Sequence, residues 1–169
     1  MPLTTCTALS SLTLSAECIF EDPVPAARAD HARETRGALR QYAQILGMYR
    51  VVFAGLTRVR LEMRPASREM FDAFVRVTQD TCRIWPEEEV LTVDPDEEQQ
   101  NMETWALLES ILCDFPALKR VEFVLLETSQ LEGALREEAK IELRGALEGR
   151  LPRLGPSAIA QLVFEHCSR

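Results

Sequence analysis

A chain of 169 residues is long enough to bury a sizeable core and is expected to form a single domain, residues 1–169. Hydrophobic content of 46% and charged content of 27% are those of a soluble globular protein, and no run approaches the length needed to span a bilayer. The net charge of −8 argues against a nucleic-acid phosphate track and against anionic lipid surfaces, so neither nucleic acid nor membrane is expected as a partner.

The chain opens on Leu9-x-x-Leu12-x-Leu14. Ser and Thr interrupt this apolar run and no basic residue precedes it, so it reads as a strand rather than a signal peptide. The same pattern returns as Leu56-x-x-Val59-x-Leu61, Leu118-x-x-Val121-x-Phe123 and Ile159-x-x-Leu162-x-Phe164. Leu91-x-Val93, preceded by Val90, is a weaker copy. The middle apolar residues stand at 12, 59, 91, 121 and 162, and each gap is long enough for a helix and its turns.

Those gaps carry helical periodicity. Residues 30–54 place Leu39, Tyr42, Leu46, Tyr49 and Phe53 on one stripe, with Asp30 as N-cap and Gly55 as stop. Residues 67–84 begin at Ser67 and carry Met70, Phe71, Phe74, Val75, Cys82 and Ile84. Asn101 is expected to open the helix bearing Trp105, Leu108, Ile111 and Leu112. Pro116 disfavours helical geometry at Phe115, so that helix ends near Cys113 or Asp114. A capping box at Ser129 and Glu132 starts the last helix, which runs toward Gly149.

Strand and helix thus alternate, and helical crossovers make the strands parallel. The residues between the apolar ones decide the architecture. Arg58, Arg60 and Glu62, then Thr92 and Asp94, then Arg120 and Glu122, give each strand a polar face. A sheet covered on both sides lacks such alternation. The expected fold is therefore α/β: repeated strand–helix units, a mostly parallel sheet and helices on one face, as a short solenoid.

Candidate chemistry is sparse. His166 and Cys167 are sequence neighbours, so on a strand they point to opposite faces and cannot act as a base–nucleophile pair. His31 lies at a helix start, where solvation explains it. The acidic stretch from Glu87 to Glu98 lacks the spacing of a calcium loop, and no Gly-rich phosphate loop or hydrolase elbow occurs. No catalytic residue, metal site or cofactor is therefore assigned. Five dispersed cysteines (Cys6, Cys18, Cys82, Cys113, Cys167), without a C-x-x-C pair, fit a reducing compartment, cytoplasmic or nuclear.

Leu-x-x-Leu-x-Leu strands followed by helices resemble leucine-rich repeats. More narrowly, Trp105, Leu108, Glu109, Leu112, Phe115, Leu118, Val121 and Phe123, followed by Leu151-Pro152-Arg153-Leu154-Gly155 and Leu162, resemble the C-terminal repeats of fungal F-box/leucine-rich-repeat proteins. The F-box itself is not seen, because the chain begins inside a repeat. The resemblance implies a non-catalytic module that holds a protein partner on its repeat surface. The residues expected to face that partner are Arg58, Arg60, Glu62, Asp94, Arg120 and Glu122, with Arg58 and Arg120 in a positive row and Glu62, Asp94 and Glu165 in a negative one. Self-association through the Leu9–Leu14 edge, or reliance on a further N-terminal segment, is also expected. A small α/β enzyme or ligand-binding protein, with its site at the C-terminal ends of the strands, is the alternative.

Overall fold

Two strand segments alternate apolar and polar residues, two carry the apolar runs Val124-Leu125-Leu126 and Leu162-Val163-Phe164, and amphipathic stretches between them supply the cover of one sheet face. The computed structural model describes residues 9–17, 28–64, 68–79, 81–82, 91–127, 136–157 and 159–166. Along the chain lie β1 (Ser11–Glu17), α1 (Arg28–Tyr49), β2 (Arg58–Arg64), α2 (Arg68–Thr78), β3 (Thr81–Cys82), β4 (Leu91–Thr92), α3 (Pro95–Cys113), β5 (Arg120–Glu127), α4 (Glu137–Arg150) and β6 (Ala160–His166).

Four strands form one parallel sheet in the order β1-β2-β5-β6. Spatial order follows chain order, with no reversal of the kind that marks a doubly wound sheet. Leu12 pairs with Val59, Val59 with Val121, and Val121 with Ala160. The last pairing differs from the repeat spacing, which had set Leu162 beside Val121; Leu162 instead pairs with Phe123. A shift of two residues keeps the same side chains on the same face, so the hydrophobic pattern is blind to it.

Leu91 is not a strand of this sheet. Cys82 and Thr81 pair antiparallel with Leu91 and Thr92 in a separate two-stranded ladder, and β2 lies directly against β5. The cause is local. Pro95 starts α3, and Asp94 caps it by accepting a hydrogen bond from the Asp96 N–H at 2.9 Å, leaving too few residues to match the seven of β2. Asn101 is consequently buried inside α3 rather than at its start. Asp30 likewise lies within α1, which stops at Tyr49 ahead of Gly55. α2 ends at Thr78, whereas α3 ends at Cys113 as Pro116 requires. The Ser67 cap and the Ser129–Glu132 capping box lie outside the described residues.

One apolar core joins the helices to one face of the sheet. Val59, Leu61, Met63, Val121, Phe123, Leu125, Ala160 and Leu162 meet Leu39, Leu46, Phe71, Phe74, Trp105, Leu108, Leu143 and Leu147. Trp105, fully buried, sits edge-on to Phe123 at 5.5 Å and to Phe74 at 6.5 Å between ring centres. Leu12, Leu14 and Phe164, on the two edge strands, are only partly buried against it.

The helix layer is pinned by polar bonds to the last carbonyls of α2, which have no partner within their own helix. Asn101 Nδ2 donates to the Arg76 carbonyl, Trp105 Nε1 to that of Val77 and Arg150 Nε to that of Thr78. Arg36, itself buried, donates to Asn101 Oδ1 at 3.0 Å. Arg150 also forms a forked pair with Glu98. These bonds tie α1, α2, α3 and α4 to one another.

Candidate interaction surface

Period two turns alternate residues of each strand away from the helices. Register arranges them in rows across the sheet. Ser11, Arg58 and Arg120 form the first row; Thr13, Arg60, Glu122 and Gln161 the second; Ser15, Glu62, Val124 and Val163 the third. Beyond them, Leu126 pairs with Glu165. None of these residues belongs to the helix-side core.

The charges on this face engage one another. Glu122, only 3% exposed, accepts from Arg58 through Nε at 3.0 Å and Nη2 at 2.6 Å, and its other oxygen lies 2.7 Å from Arg120 Nη2. Arg60 donates to Glu62 at 2.8 Å and reaches Glu165 with both terminal nitrogens, at 2.8 and 2.5 Å. β2 and β6 are not neighbours, so the Arg60–Glu165 bridge crosses β5. Arg60 is level with Glu122 and Glu165 with Leu126, which puts Val124 beneath the middle of the diagonal. Val124 is 1% exposed although it faces away from the helices.

Mutual pairing shifts the titration of both partners. The hydrogen bond from Arg60 is the main influence holding the Glu165 carboxyl below the usual range; burial opposes it, and the charges of Arg60 and Arg58 assist. Arg60 is in turn held more firmly protonated, chiefly by its hydrogen bonds to Glu165 and then Glu62.

Five of the six residues expected on this surface are therefore on it: Arg58, Arg60, Glu62, Arg120 and Glu122. Asp94 is not, because it caps α3. The positive row of Arg58 and Arg120 exists as register neighbours. The negative row does not: Glu62 and Glu165 fall on different levels, and each pairs with Arg60. Sequence reasoning also passed over Val124, Leu126 and Val163, which make the β5–β6 part of this face apolar beyond Glu122. The unbroken run Val124-Leu125-Leu126 was the available signal, since a strand buried on both faces stops alternating.

At the C-terminal end of β5 lies a second ionic group. Glu127 is 3% exposed, and its Oε1 is 3.3 Å from Lys140 Nζ, which also pairs with Glu137 at 3.2 Å. Lys140 and Arg144 lie over the Phe164 ring, each 5.3 Å from its centre. Burial works against the charge on Lys140, but hydrogen bonds to Glu137 and Glu127 outweigh it and raise the pKa.

Among the described residues no group of three or more His, Cys, Asp or Glu side chains could hold a metal ion, and no helix is long and apolar enough to cross a membrane. Comparison of the chain with family models, curated proteins and solved structures found no match.

Proposed function

We propose that this chain is a non-catalytic protein-interaction module, a short β-α repeat solenoid whose sheet face opposite the described helices holds a protein partner, in the manner of the substrate-recognition repeats of F-box/leucine-rich-repeat proteins. One observation carries this reading. Strands laid down in chain order share all their described helices on one side, and on the other β1 and β2 present hydroxyls, arginines and carboxylates beside Arg120, while β5 beyond Arg120 is buried. The charges exposed on that face orient a partner more than they bury it.

The alternative is a small α/β enzyme or ligand-binding protein with its site at the C-terminal ends of the strands. Among the described residues the group there is Glu127 with Lys140; the residues that follow β1, β2, β5 and β6 lie outside the described residues. The pair reads as an anchor of α4 on the sheet.

Thr13→Trp tests the interaction reading. Thr13 is exposed on β1 in register with Arg60, so an indole there obstructs the face without entering the core. With wild-type protein as bait in an extract of the source organism, the partners recovered should be lost or much reduced with the variant. Undiminished recovery by a folded variant would overturn the reading.

A further inference from the structure

We infer that the Arg58–Arg120 row receives carboxylates from an acidic segment of the partner protein, an assignment that rests on the interaction reading above. The two arginines are register neighbours on strands about 4.8 Å apart, so their guanidinium groups can serve one short stretch of chain. Both are held from below by the same buried carboxylate, Glu122. Arg58 spends Nε and Nη2 on it and Arg120 spends Nη2, and the remaining N–H groups have no partner among the described residues. The side chains are 45% and 51% exposed.

Two cations against one buried carboxylate leave positive charge on this row, on a chain whose net charge is −8. An acidic segment is thus attracted here and repelled by the chain as a whole, which fixes where it sits. A guanidinium offers parallel N–H groups matched to the two oxygens of a carboxylate, and tethering to Glu122 reduces the freedom lost on binding. Exposed Ser11, in the same row, adds a hydroxyl donor. Arg60 does not take part, because Glu62 and Glu165 engage it and its side chain is 20% exposed. A long polyphosphate or nucleic acid would have to lie along the whole acidic chain, whereas a short carboxylate segment needs only this row.

Fluorescence anisotropy of a labelled hexaglutamate peptide at low salt tests the assignment. Wild-type protein should bind it saturably, with weakening as salt is raised. The Arg58→Glu/Arg120→Glu protein should bind roughly tenfold or more weakly, and Arg58→Gln/Arg120→Gln serves if reversal disturbs folding by circular dichroism. Absence of saturable wild-type binding, or equal binding by the folded variant, overturns the assignment. So does heparin occupying the row at a lower concentration of charge than hexaglutamate, since the row would then select sulfate-like anions. Partner recovery separates the two levels of the argument. Loss with Thr13→Trp but not with the arginine variants leaves the surface standing and removes the acidic segment, whereas retention by both removes the surface itself.

Discussion

Glu109 shows how much a single carboxylate can organise. It is 4% exposed on α3, and Oε1 accepts from the backbone N–H of Arg153 at 2.7 Å and of Leu154 at 3.1 Å. Two pieces of the repeat-like pattern, the Trp105–Leu112 helix and the Leu151–Gly155 turn, are therefore in direct contact. Glu109→Ala strands two donors at a buried site and should lower stability by about 1–3 kcal/mol in urea denaturation. In the same turn, a Cβ added to Gly155 would lie 2.7 Å from the Glu148 carbonyl oxygen and 2.8 Å from the Glu148 Cα. Backbone atoms at the end of α4 cannot swing aside, so Gly155→Ala should cost about 1–3 kcal/mol by the same measurement. Phe123 is 2% exposed against Trp105, and Phe123→Ala should cost about 3–5 kcal/mol, with a loss below ~1 kcal/mol placing it outside the core.

At the scale of elements, the Arg60–Glu165 bridge joins β2 to β6 across β5 and gives the sheet a pH dependence of known sign. Glu165 has a lowered pKa when folded, so its contribution is present above the unfolded value of about 4.3 and lost as pH falls through the lower folded value. The stability gap between wild type and Glu165→Gln should therefore hold constant above about pH 5 and shrink below it, measured as denaturation midpoints. A gap that widens on acidification would contradict the pairing. This bridge was not legible in the sequence, because period two says which face a residue occupies and nothing about levels between distant strands. Faces were legible: Val59, Leu61, Val121 and Phe123 are buried on the helix side, and Arg58, Arg60, Glu62, Arg120 and Glu122 lie opposite. Levels were not, so Leu162 slipped by two positions and the negative row dissolved. Leu91 misled for a different reason. A few apolar residues fit either a strand of the main sheet or a two-residue ladder, and the Asp94-Pro95 helix start decided between them.

For the whole molecule, the sheet has two edges that differ. On β6, Arg144 of α4 donates from Nε to the Leu162 carbonyl at 3.4 Å, a side-chain bond that occupies an acceptor of the edge strand. β1 is the other edge, where Leu12, Leu14 and Ala16 are partly buried while their register partners Val59, Leu61 and Met63 are fully buried. Of its outward positions Ser11, Thr13 and Ser15 are uncharged and exposed and only the terminal Glu17 carries a charge, so this strand lacks the lysines with which sheet edges resist pairing. A strand at a sheet edge among the described residues, with partly covered leucines, is suited to meeting another copy. Sedimentation equilibrium should accordingly show mass rising with concentration for the wild-type chain. Thr13→Lys with Ser15→Lys adds charge to the strand on the face away from the core, so it should shift the equilibrium toward monomer while leaving denaturation midpoints nearly unchanged. A wild-type species that stays monomeric at high concentration, or a lysine variant that associates as strongly, would rule out self-association through β1.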